Sequence, residues 1–167
     1  MKKYLILLLI PLLVLVTACT KNEGKQLKLV DSKFGTTTFT IDDTYTDVEE
    51  EKDGASTEIS FENESLDLEY EMYYNRIRKA TYKSSKETRS KQKYYKEYTF
   101  GDYKGYAYGE YESGLYMNII LAEDEEDYII LFVSLDRNDN DIEKVVAEIV
   151  EEKPTQDFFK SMKFKKA

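Results

Sequence analysis

Asp136, Asn138 and Asn140 stand at alternate places in the run Asp136-Arg137-Asn138-Asp139-Asn140-Asp141. Oxygens spaced that way are the first three ligands of a calcium-binding loop, because a hard cation collects carboxylate and amide oxygens. The run departs from such a loop twice. Asp141 stands where the turn needs glycine, and Ala147 where a bidentate glutamate should close the shell. Asn140 with Glu143 also forms a capping box ahead of Ile142, so helix capping competes with calcium for the same residues. Other chemistry is narrowed by what is missing. The chain has no histidine and one cysteine, Cys19, which removes Ser–His and Cys–His pairs and imidazole metal ligands. An enzyme would have to work with carboxylates, Lys, Tyr or a Ser–Lys pair. With so many acidic residues, some pair will fall about 5–9 Å apart by chance, so glycosidase-like carboxylate spacing carries little weight. The expectation is a non-catalytic chain that needs no cofactor.

Two stretches have the composition of binding surfaces. Between Arg76 and Lys96 there are nine basic residues and one acid, Glu87. Arg76, Arg78 and Lys79 open this stretch, which could lie against anionic headgroups or an anionic wall polymer. Alternatively it balances the acidic face of the preceding hairpin: Glu58, Glu62, Asp67, Glu69 and Glu71. Eight tyrosines fall between Tyr94 and Tyr116. Tyr106 and Tyr108 share one strand face, where they could stack on sugar rings or receive a partner. Ordinary strand propensity would also explain them.

The start of the chain has a different chemistry. Met1-Lys2-Lys3 is basic, Tyr4 to Val16 is almost wholly apolar, and polar residues follow Cys19. These are the parts of a secretory signal. A bilayer core of about 30 Å needs roughly 20 apolar residues, and this run is shorter. Val16-Thr17-Ala18-Cys19 resembles the lipobox of bacterial lipoproteins. The resemblance implies cleavage between Ala18 and Cys19, a diacylglycerol (palmitate-type) anchor on the Cys19 thiol, and residence on the extracytoplasmic face of the cell membrane. Two acyl chains anchor stably where one binds marginally.

The full chain of 167 residues carries a net charge of −9. Without residues 1–18 it keeps 22 basic and 33 acidic residues, a net charge of about −11. Nucleic-acid binding wants the opposite balance and is not expected. Residues 19–27 read as the lipidated cysteine and a polar tether, and 28–167 as one domain. Thr20 to Gln26 spans at most roughly 25 Å at about 3.5 Å per residue.

Positioning elements follow from periodicity. Phe34 to Ile41 reads as a strand and Asp42 to Gly54 as an acidic loop. Thr57, Ile59 and Phe61, then Leu66, Leu68, Tyr70, Met72 and Tyr74, alternate with polar residues around an Asn63-Glu64-Ser65 turn, as in a hairpin with one wet face. Asn75 to Lys93 reads as one or two helical turns running into an exposed basic segment. Tyr94 to Phe100, Tyr103 to Glu112, Leu115 to Ala122 and Tyr128 to Leu135 read as four strands, the last two apolar on both faces and therefore central. Ile142, Val145, Val146, Ile149 and Val150 have helical spacing, and Pro154 breaks or restarts that helix. The expected fold is α+β: a mainly antiparallel sheet of about seven strands with helices packed on it.

Tyr98 to Tyr108 with Gly101 and Gly105, Tyr128 to Leu135, and Phe158 to Phe164 with Ser161 together resemble the PsbP/Mog1-like domains of bacterial lipoproteins. The resemblance covers residues 34–166 and implies a sandwich fold with a binding or assembly role toward an envelope protein or wall polymer. It brings no catalytic residues. An envelope enzyme using carboxylates and a small-ligand carrier are the competing classes.

Overall fold

The computed structural model describes residues 24–53, 56–110, 114–137 and 149–167. Ten strands and two helices occur among them. They are β1 (Lys25–Asp31), β2 (Gly35–Ile41), β3 (Tyr45–Asp53), β4 (Ser56–Asn63), β5 (Leu68–Arg78), α1 (Lys79–Arg89) and β6 (Tyr95–Phe100). Then come β7 (Tyr103–Glu110), β8 (Gly114–Glu123), β9 (Asp127–Arg137), α2 (Lys153–Lys160) and β10 (Lys163–Lys166). A seven-stranded antiparallel sheet runs β3-β4-β5-β9-β8-β7-β6, and a three-stranded sheet runs β1-β2-β10. The fold is α+β, with the strands β8 and β9 inside the large sheet, as their two-sided apolar pattern requires.

The two faces of the large sheet are covered differently. One carries Ile59, Phe61, Tyr70, Met72, Leu131, Val133, Met117 and Ile119, and packs against the small sheet and α2. Phe158 of α2 stacks on Phe39 with centroids 4.5 Å apart and lies 5.4 Å from Phe61. Each such buried side chain contributes about 1.5–3 kcal/mol of hydrophobic stabilisation. The Tyr74 hydroxyl ties the layers together by donating to the Leu29 carbonyl (2.9 Å) and sharing a second bond with Thr37 Oγ1 (2.8 Å). The opposite face is covered by α1 through a smaller cluster of Tyr82, Tyr106, Tyr108 and Ile130.

Several sequence expectations change here. Residues 25–27 of the expected tether are strand, and Leu27 is buried among the core residues. The acidic stretch 42–54 is not a loop beyond Thr44: it forms β3, the edge of the large sheet. Charge is what an edge strand tolerates, because it deters pairing with another chain, and the register shift between Thr46 and Glu49 disrupts the edge further. Residues 75–93 do not form a short helix and a long exposed segment. β5 runs on to Arg78, and α1 then makes three turns. Tyr82 is its one buried residue, so a helix with a single anchor hid inside a polar run. The amphipathic helix expected over 142–150 lies mostly outside the described residues; Ile149 and Val150 are buried in the core. Pro154 opens α2, where a missing N–H costs nothing.

Candidate functional site: a lysine-lined cleft

The direction of α1 creates the site. It leaves the end of β5, where Arg78 pairs with Asp127, and the chain re-enters the sheet at the far edge, where Tyr95 pairs with Tyr108. The helix therefore crosses its face of the sheet obliquely. Its first N–H, on Lys79, donates to the Glu126 carbonyl (2.8 Å), and the Ser90 N–H closes the last turn on Lys86 O (2.9 Å). Lys86 and Arg89 in that turn sit where the helix dipole favours cations. Tyr82 meets Tyr106 and Tyr128 edge-on, at 5.4 and 5.2 Å.

A cleft of about 540 Å³ opens between one side of α1 and the ends of β6, β7 and β8. Lys79, Lys83 and Lys86 form one wall, at helical steps of four and three, so they share a stripe. Lys104 and Thr99, paired across β6 and β7, stand on the other side. Tyr82, Tyr128 and Ile120 supply an apolar floor. Gly105 lets β7 and β8 pair closely beside it, since a Cβ there would lie 2.4 Å from the Asn118 carbonyl oxygen and push β7 off β8. Lys86 Nζ holds Glu97 at 2.7 Å, and Lys79 pairs with Glu123. Lys83 and Lys104 are exposed, and neither has an ion pair among the described residues. Among the described residues lining the cleft, Glu97 is the one carboxylate. The Lys86 ammonium bonded to it holds its pKa below the ordinary value despite some loss of water.

Beyond α1 the same sheet face changes character. Tyr73 and Phe132 sit side by side at 4.8 Å, Phe132 leads to Tyr116 at 5.7 Å, and Tyr116 to Tyr108 at 5.6 Å. This aromatic row crosses four neighbouring strands, with Tyr73, Phe132 and Tyr116 half-buried and Tyr108 buried. Past it lie Glu58, Glu62, Glu69 and Glu71, with Glu62 directly opposite Glu69. The face is thus basic on one side of α1 and acidic on the other.

Tyr106 and Tyr108 are not an open binding surface. They are 3% and 6% exposed: α1 covers Tyr106 with Tyr82, and the Arg89 guanidinium lies 4.5 Å from the Tyr108 ring. Their strand face was readable, but not the element that would sit on it. Burial pushes the Tyr106 hydroxyl up to about 12, with the neighbouring Tyr108 adding to it. Of the three basic residues singled out, Arg76 and Lys79 pair with Asp124 and Glu123, while Arg78 is the exposed residue at the entry to α1. Among the described residues the acids paired with the stretch are Glu123 and Asp124 at the β8–β9 turn, Glu97 and Glu151, rather than those of the 57–71 hairpin, and Lys166 joins Asp124 as well. Lys104, which sequence reading passed over, is brought to the cleft by β7; its only signal was a cation beside Gly105.

Asp136 stands in β9 opposite Glu69, while Asn138 and Asn140 lie outside the described residues. Among the described residues, no group of three or more His, Cys, Asp or Glu is placed to hold a metal, and no helix is long and apolar enough to cross a membrane. Ala18 and Cys19, with the leader, also lie outside the described residues. No family model, curated protein or solved structure matches the chain.

Proposed function

We propose that this chain is a lipid-anchored lipoprotein of the extracytoplasmic membrane face, acting as a non-catalytic binding module of the cell envelope with a PsbP/Mog1-like sandwich. The leader and the Val16-Thr17-Ala18-Cys19 sequence support the anchor. One observation carries the binding role: the cleft beside α1 assembles four lysines over an apolar floor, and two of those lysines have no counter-ion among the described residues. Such a site recognises an anion with a carbon body rather than a bare ion. Glu97, the one carboxylate among its described lining residues, has its pKa lowered by Lys86, which suits a structural partner and not a proton donor. A carboxylate enzyme working in this cleft would want the opposite shift at Glu97.

The experiment has two parts. Intact mass spectrometry of the chain recovered from bacterial membranes should find Cys19 as the first residue carrying a diacylglyceryl group, and Cys19→Ala should leave the membrane fraction. An unmodified Cys19 with the leader attached would refute the anchor. Pull-down of the lipidated chain from its own envelope should retain a reproducible anionic ligand or partner that Lys83→Glu loses.

A further inference from the structure

We propose that the cleft holds a length of phosphodiester-linked polyanion, laid along Lys79, Lys83 and Lys86 with Lys104 gripping it from the sheet. This rests on the binding role just described and names its ligand class. The three helix lysines recur along one stripe over about 10 Å, at about 1.5 Å per residue. A row of cations suits a chain that repeats its negative charge along its length; a single phosphate would meet only part of it. Lys83 and Lys104 are ready to take phosphates, since neither gives up an ion pair among the described residues to do so. Tyr82, Tyr128 and Ile120 below them offer apolar surface to the polyol or sugar carbons between phosphates.

The surroundings select direction and source. The carboxylates Glu58, Glu62, Glu69 and Glu71 beyond the aromatic row repel a polyanion from the other half of the face, which confines it to the β6 side of α1. Lys25 begins β1 in the small sheet, on the opposite face of the large sheet from the cleft. With an anchor ahead of Lys25, as proposed above, the cleft lies on the sheet face away from β1, which favours a wall polymer over the headgroups of the anchoring membrane.

The test uses the full chain in a neutral detergent, with poly(glycerol phosphate) as probe. Binding should weaken as salt rises. Lys83→Gln/Lys104→Gln should lower the affinity at least about tenfold and reduce the salt slope by about 1.4, two lost contacts at about 0.7 each. Lys83→Glu/Lys104→Glu should abolish binding, while Lys28→Glu/Lys33→Glu, with the same change of net charge on the small sheet, should leave it nearly intact. Absence of binding at low salt, or equal loss in the Lys28/Lys33 control, overturns the proposal. So does inorganic phosphate competing as well as polymer at equal phosphate, which would mean a single-anion site. Lysine-dependent binding to phosphatidylglycerol/phosphatidylcholine vesicles, with none to polymer, overturns it in favour of the membrane. Loss of the anchor, read by mass on Cys19, leaves the polymer result standing, so the two readings fail separately.

Discussion

The Tyr82 ring stands edge-on to Tyr106, with centroids 5.4 Å apart and planes inclined at 61°. This contact fixes α1 on the sheet, because Tyr82 is the one buried residue of the helix. Everything on the lysine stripe depends on it.

Tyr82→Ala should therefore cost about 3 kcal/mol, in the range for removing a buried aromatic ring. Thermal denaturation followed by circular dichroism would show a large fall in Tm, and hydrogen exchange should rise selectively over residues 79–89. Tyr106→Ala should also destabilise the fold, by a similar amount, rather than remove a ligand contact from an intact protein. A Tyr106→Ala protein of native Tm that had lost a ligand would contradict the burial seen here.

The core contains two tyrosines with opposite hydroxyl chemistry. Tyr74 donates to Leu29 O and exchanges a bond with Thr37, whereas the Tyr70 hydroxyl is buried near Tyr45 and Thr155 without a well-formed hydrogen bond among the described residues. Tyr74→Phe strands a buried carbonyl and should cost about 1–3 kcal/mol. Tyr70→Phe removes a hydroxyl with no well-formed bond among the described residues and should cost less than Tyr74→Phe. Paired denaturant titrations check the contrast, and equal losses in the two variants would contradict it.

These pairs also mark what the sequence could and could not disclose. Alternation at Ile59/Phe61, Leu68/Tyr70/Met72 and Leu131/Val133/Leu135 is local and strong, so strands and their inward faces were legible. Two-sided apolarity placed β8 and β9 inside the sheet. What failed was long-range: β3 is a strand because Tyr45 to Asp53 pairs with β4, although its own composition is that of a turn. Likewise α1 buries a single ring, and Tyr106 and Tyr108 are covered by a segment outside their own hairpin. The lysine cleft joins α1 to β7, a juxtaposition created by the crossover from β5 to the far edge, and periodicity contains no trace of it.

Arg137 offers a graded test of the ion pairs. Its Nε donates to Leu66 O at 2.9 Å and its Nη2 reaches Glu152 at 3.2 Å, with side chains 18% and 30% exposed. It joins the end of β9 to the β4–β5 turn and to the residue that precedes α2. Arg137→Gln should cost about 1–2 kcal/mol, as a charged hydrogen bond at a half-buried site. The Lys153–Asp157 pair is far more exposed and spans one helical turn, so Lys153→Gln should cost at most about 0.5 kcal/mol. Chemical denaturation of both variants would show the ranking, and a larger loss at Lys153 would refute it.

Glu71 supplies the pH dependence of the acidic half-face. Loss of water raises its pKa above the ordinary value of 4.5, and the hydrogen bond and charge of Glu58, then the charge of Glu69, raise it further. The unfolded chain releases this proton near the ordinary value, whereas the folded chain keeps it to higher pH. Folding thus takes up a proton in the window just above 4.5, and this site's contribution to stability declines as pH rises through it. At neutral pH the repulsion is present in full. Glu71→Gln should raise Tm at neutral pH and low salt, converge with the parent below the window, and gain less in high salt, where exposed charges are screened. Thermal melts across pH and ionic strength measure all three. A variant that melts no higher than the parent at neutral pH and low salt would mean that Glu58 and Glu69 leave Glu71 unstrained.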